Sequence, residues 1–107
     1  VIKRLSMSDK YILVGHEAVP EPDARKWAEF FQNGNRKVAR THITSSIYVS
    51  TVFLGLDHSW GEGPPMLFET MVFGGEHNQH CTRCSTWLKA EVQHVEMCNF
   101  VHSNQGE

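Results

Sequence analysis

Lys37-Val-Ala-Arg-Thr-His-Ile-Thr-Ser-Ser-Ile-Tyr-Val-Ser-Thr-Val-Phe-Leu-Gly-Leu56 is the stretch on which the fold turns. Two runs rich in β-branched and aromatic residues, Lys37 to Thr44 and Ile47 to Leu56, flank Ser45-Ser46, a link short enough for a hairpin. A third run of the same kind covers Met66 to Phe73. In the second run Val49 and Phe53 alternate with Val52, Leu54 and Leu56, so both faces are apolar and the run suits a central strand covered at least partly on each side. The reading is three antiparallel strands, with a long connection from Asp57 to Pro65 before the third.

Helical spacing brackets this core. Ala24, Trp27, Ala28 and Phe31 share one face of a helix over about 22–33. Pro22 suits its first turn, and Asn33-Gly34 offers left-handed residues to close it. After the strands, Ser85-Thr86 can cap a second helix carrying Trp87, Leu88, Val92, Val95 and Met97, with Leu88, Val92 and Val95 as its buried stripe. Tyr11 to Val14 is an apolar run ending at Gly15, readable as an edge strand or as a cover over the core. The expected fold is α+β: a three-stranded antiparallel meander with two helices packed on one face, in the order α-β-β-β-α. It fills a single domain over 1–107, with flexible ends at 1–10 and 102–107. Double-stranded-RNA-binding domains share this order, but the second helix here lacks their basic N-terminal cluster.

The 107 residues are 40% apolar and 21% charged, a composition that excludes disorder and collagen-like structure. No apolar run reaches the length of a membrane span, so no membrane partner is expected. Three cysteines, an odd number, point away from a disulfide-stapled secreted domain and toward a cytoplasmic setting. The chain opens at Val1 and meets its first methionine at Met7, so residues 1–6 are expected to be a lead-in outside the fold. Residues 1–56 hold eight Lys/Arg and five Asp/Glu, whereas residues 57–107 hold two against seven. An acidic second half suits a basic protein surface, such as one built to hold nucleic acid.

The strings Val49-Ser-Thr-Val-Phe-Leu-Gly-Leu-Asp-His58, Gly63-Pro-Pro-Met-Leu-Phe-Glu-Thr-Met-Val-Phe-Gly-Gly75 and Ser85-Thr-Trp87 together resemble a family of small proteins of tailed phages and prophages. The resemblance extends less sharply to the Trp27 helix and to Asn35–Thr41, spanning residues 11–95. It implies a protein working in the cytoplasm of a host cell and names no shared activity. This chain departs from it at Leu88-Lys89, where an acidic pair is expected, and at Cys84, where an aromatic residue is usual.

Two clusters carry chemistry. His77, His80, Cys81 and Cys84 form H-x2-H-C-x2-C, and His94 with Cys98 follow at i and i+4. Cys81, Cys84, His94 and Cys98 thus form a candidate tetrahedral zinc site, although the gap between Cys84 and His94 is shorter than the usual finger spacing. In the Asp57–Pro65 connection, Asp57 and His58 pair an acid with an imidazole, but neighbours on an extended chain point to opposite faces and no nucleophile motif accompanies them. Glu69 would act as an acid of raised pKa only if it faced inward. Glycine-rich phosphate cradles are missing from the sequence. Trp60, set among Gly61-Glu62-Gly63 and Pro64-Pro65, has instead the composition of an interface anchor.

These features favour a non-enzymatic binding module that blocks a host macromolecule, such as a defence nuclease or another nucleic-acid-handling protein. Asp57, His58, Trp60, Glu62 and Glu76 are its expected partner-binding residues, and it needs no cofactor. The alternative is a zinc-stabilised nucleic-acid binder using Arg36, Lys37 and Arg40. A homodimer through paired edge strands is open to either. The zinc reading expects about one zinc per chain and a thermal stability that falls with chelator, both checked by elemental analysis and melting curves.

Overall fold

Described over residues 9–59 and 63–103, the computed structural model runs in the order β1 (Tyr11–Val14), β2 (Glu17–Pro20), α1 (Ala24–Asn33), β3 (Lys37–Thr44), β4 (Ile47–Phe53), β5 (Phe68–Phe73), β6 (Cys81–Cys84) and α2 (Trp87–Ser103). The α+β class holds, but the three-stranded meander does not. The main sheet has four strands in the order β3-β4-β5-β6, and every neighbouring pair is antiparallel. Its added strand, β6, is the segment whose cysteines suggested metal-ligand spacing; it covers an edge of β5 that would otherwise leave backbone groups unpaired. Strands β1 and β2 form a second, two-stranded sheet.

Side chains alternate across the pleat as the sequence pattern requires. Ile47, Val49, Thr51 and Phe53 of β4 are buried, as are Phe68, Thr70 and Val72 of β5, and α2 lies across them. On the opposite face Tyr48 stacks on Phe73 with ring centroids 4.9 Å apart, and the Arg40 guanidinium sits 4.1 Å over Tyr48. Glu69 also lies there, ion-paired to Arg83 at 2.9 Å, so it is not an inward-facing acid. β4 is therefore central as expected, with α2 on one face and its own cross-strand neighbours on the other.

The helices depart further from expectation. Helix α2 buries Ala90, His94, Met97 and Val101, whereas Leu88, Val92 and Val95 point outward at 70%, 52% and 57% exposure. Helix α1 begins after Asp23, whose carboxylate accepts from the Arg25 and Lys26 N–H groups, rather than at Pro22. Ala24 and Ala28 are exposed; Trp27 donates from its indole to the Gly55 carbonyl at 2.9 Å, and Phe30 meets Phe53 edge-on. The helix packs beside β1 and the end of β4 and does not lie across the sheet. Gly34 closes it in an extended conformation, φ −79°, not a left-handed one. Its missing side chain makes room for the Phe30 ring, which a Cβ would meet at 2.6 Å.

Tyr11–Val14 proves to be both strand and cover. Tyr11 N–H donates to the Gly55 carbonyl at 2.9 Å, Asp57 N–H donates to the Asp9 carbonyl at 3.0 Å, and Lys10 bridges Leu56, so the hairpin is stitched to the chain leaving β4. Tyr11 is buried with Phe53, Leu67, Phe68 and Ala90 in one cluster, and Ile47, Val49, Val72, Met97 and Val101 form the other. Of the ends expected to be flexible, Asp9 and Lys10 meet the chain leaving β4 and His102 and Ser103 form the last residues of α2; the remainder lies outside the described residues.

The β5–β6 turn passes close under the β3–β4 turn. Gly74 has φ 93°, and a Cβ there would strike the Ser46 carbonyl oxygen. Gly74→Ala is therefore expected to lower stability by about 1–3 kcal/mol, from left-handed strain plus displaced backbone. Gly15→Ala, at φ 63° with nothing within 4 Å of the new methyl, carries only the strain. Paired thermal melts check this; an equal loss at both positions would rule out the clash.

Candidate functional site

Gly15, with φ 63°, and His16 form the two-residue turn of the β1–β2 hairpin, and glycine in the first position is what such a turn requires. The turn lays the His16 ring on Trp87 at the start of α2, with centroids 3.8 Å apart and planes 3° from parallel. Trp87 in turn meets Phe68 edge-on. Its indole N–H is buried with no acceptor among the described residues, so the ring contacts hold the tryptophan in place.

Between the hairpin, the first turn of α2 and the end of the Asp57–Pro65 connection lies a cleft of about 780 Å³. Buried Tyr11 and Leu67 form its floor, and Val14, Pro65, Trp87 and Leu88 contribute apolar walls. Glu17 and Glu91, both exposed, place carboxylates at the rim. Among the described residues that line the cleft there is no Lys or Arg.

The residues expected to bind a partner are not gathered in one place. Asp57 anchors the long connection: its Oδ1 accepts from Ser59 N–H at 2.8 Å and from Met66 N–H at 2.9 Å. His58 is exposed, with Nδ1 2.9 Å from the Leu56 carbonyl oxygen. Asp57 and His58 therefore form no dyad. Trp60 and Glu62 lie outside the described residues. Glu76 sits in the β5–β6 turn, at the far end of β5 from the connection, and six strand residues separate the two by about 20 Å.

Nor are the proposed zinc ligands brought together. Cys81 and Cys84 fall on opposite faces of β6, and no group of three or more His, Cys, Asp or Glu side chains that could hold a metal occurs among the described residues. His77 and His80 pack their rings against Phe100 instead. Burial pushes the Cys84 and Cys98 thiols up, away from the thiolate form that a metal or a nucleophile needs. In the basic segment, Arg36 donates to the Phe53 carbonyl at 3.2 Å and lies over the Phe31 ring, which closes the α1–β3 junction; Lys37 and Arg40 are exposed on β3.

His94 has a different role, which sequence reading missed. Thr51 Oγ1 lies 2.7 Å from its Nδ1, and Thr41 Oγ1 lies 2.9 Å from its Nε2. Thr51 also pairs with Thr70 at 2.7 Å, and the Gln93 amide donates to Thr70 at 3.0 Å and to the Thr82 carbonyl at 3.2 Å. An amide nitrogen only donates, which sets a direction. Gln93 gives to Thr70, Thr70 to Thr51, and Thr51 to His94 Nδ1; Nε2–H then gives to Thr41, and Thr41 to the Cys98 sulfur, where its hydroxyl favours the thiolate. The reverse order would have Thr70 accept twice and leave its buried proton with no acceptor in the network. The strand signal was present in the sequence: Thr51 and Thr70 occupy helix-facing positions between apolar neighbours, where a hydroxyl needs a partner.

Comparison with protein families, with curated proteins and with solved structures returns no match for this chain.

Burial holds the His94 pKa below the ordinary imidazole value of about 6.5. The folded chain refuses a proton that the unfolded chain accepts, so the stability this group supplies is complete above that pH and is lost as pH falls below it. NMR is expected to show His94 neutral with its proton on Nε2 at neutral pH. A proton on Nδ1 would contradict the assigned direction. Thr51→Val, which leaves the Thr70 hydroxyl proton and His94 Nδ1 without their partner while Gln93 still reaches Thr70 and Thr41 still reaches Nε2, is expected to cost about 1–3 kcal/mol by denaturant unfolding, and Thr41→Val at the exposed edge less.

Proposed function

We propose that this protein is a stoichiometric binding module that occupies a host macromolecule, and that its contact surface is the cleft between the β1–β2 hairpin and the start of α2. The observation that carries this reading is the lining: an apolar floor rimmed by Glu17 and Glu91, with no cation among the described lining residues. Such a lining recognises a segment that is apolar at its centre and basic at its flanks. Proteins that handle nucleic acid carry such segments, which fits a nuclease or a related host protein as partner. The phage resemblance supports the host setting. Binding there blocks by occlusion and makes no covalent change.

The long connection belongs to this surface through Pro65, with Trp60 and Glu62 in the same connection and Glu76 excluded by distance. Asp57 is engaged with two backbone N–H groups, so the acid beside His58 serves to hold the connection in shape.

The test is affinity capture from host lysate with the wild-type chain and with a Glu17→Lys, Glu91→Lys, Val14→Asp variant shown to be folded by circular dichroism. Capture by the wild type should weaken with rising salt, and the variant should lose about tenfold or more. Equal capture by both chains would refute the cleft as the contact surface.

A further inference from the structure

The outward face of α2 is its more apolar one. Leu88, Val92 and Val95 are 70%, 52% and 57% exposed, and they lie about 160° around the helix axis from the face that Ala90, His94, Met97 and Val101 bury. Exposed Asn99 continues the line, so the spacing is four, three, four, which makes the narrow seam of a helix–helix contact rather than the broad stripe of a helix on a sheet. From these features we infer that α2 is the dimer interface of this protein, packing antiparallel against α2 of a second copy about a two-fold axis.

The flanking charges choose the occupant and its direction. Lys89 and Glu96, both exposed, border the seam on the same side, seven residues apart. When Val92 faces Val95 of the second copy in the antiparallel sense, Lys89 of each chain meets Glu96 of the other, which gives two symmetric ion pairs. A parallel pair would set Glu91 against Glu96 of the second copy, like against like. A surface whose two ends complement each other only after a two-fold rotation is matched by its own copy. The sheet edges offer no competing route: β3 is interrupted by two register shifts and carries Lys37 and Arg40, and β6 is four residues long.

Three apolar side chains bury less than a standard interface of about 1,600 Å², so the dimer is weak, dissociating in the micromolar range. Sedimentation equilibrium of the full chain, from low micromolar to submillimolar concentration, should show a reversible monomer–dimer step. Val92→Glu with Val95→Glu changes only exposed positions and should raise the dissociation constant tenfold or more with unchanged circular dichroism. Glu96→Lys alone and Lys89→Glu alone should each weaken the dimer several-fold, and the two together should restore it. A chain that stays monomeric throughout, or a dimer indifferent to the two glutamates, overturns the proposal. So does a dimer strengthened by Glu96→Lys alone, which is the signature of parallel pairing. Leu88 belongs to both the seam and the cleft wall and is left unchanged; Lys89, Val92, Val95 and Glu96 line no part of the cleft, so partner capture by these variants is read separately from their self-association.

Discussion

His94, held between hydroxyls of β3 and β4, fixes where α2 sits on the sheet. Apolar packing alone would tolerate a shift along the helix axis, because Ala90, Met97 and Val101 could each find another hydrophobic neighbour. A shift of one turn, by contrast, would carry the imidazole off Thr51 and Thr41 and leave it buried without its partners, at about 1–3 kcal/mol for each lost bond. The polar seam lies between the two apolar clusters, with Phe53 and Phe68 on one side and Val49 and Val72 on the other. Its net contribution to stability is modest, and its contribution to uniqueness is larger. The cleft depends on that register, since Trp87 receives His16 only where the first turn of α2 is placed by His94 two turns later.

Strands β3, β4 and β5 were legible because burial on one side imposes alternation, and β-branched residues mark it. The side-chain pattern bounds β3 at Lys37 and Thr44, opens β4 at Ile47 and closes β5 at Phe73, as the structure does. β6 was not legible, because Cys81-Thr82-Arg83-Cys84 has no apolar alternation; its pairing answers the needs of the β5 backbone, which no side chain announces. The cysteine spacing drew the same segment toward metal chemistry. The hairpin was half legible, with the Tyr11–Val14 run plain and its partner Glu17–Pro20 masked by a polar start and a terminal proline.

Helix α2 shows why periodicity can select the wrong face. Leu88, Val92 and Val95 are more hydrophobic than Ala90, His94 and Met97, so a rule that buries the apolar stripe turns the helix over. What decides the matter is the sheet beneath it. Thr51 and Thr70 call for a polar partner, and His94 and Gln93 supply one, so the inner face is chosen by hydrogen bonding and shape. The cleft was missed for a related reason: its members come from the hairpin, the long connection and α2, three segments that share no local pattern.

The hairpin joins the rest of the chain through contacts of very different span. The meander pairs strands adjacent along the chain and α2 returns to β3 and β4 over some forty to fifty residues, whereas the His16–Trp87 stack closes a loop of some seventy residues. Contacts that close long loops form late and release early, and a four-residue, two-stranded ribbon has little cooperativity of its own to resist opening. The wall formed by Val14 and Glu17 is thus expected to exchange its amides ahead of the buried β4–β5 pair, and the recess it encloses exists only while that ribbon is seated. Occupancy and local order become a single linked equilibrium, in which a bound segment protects the very strand pair that admits it.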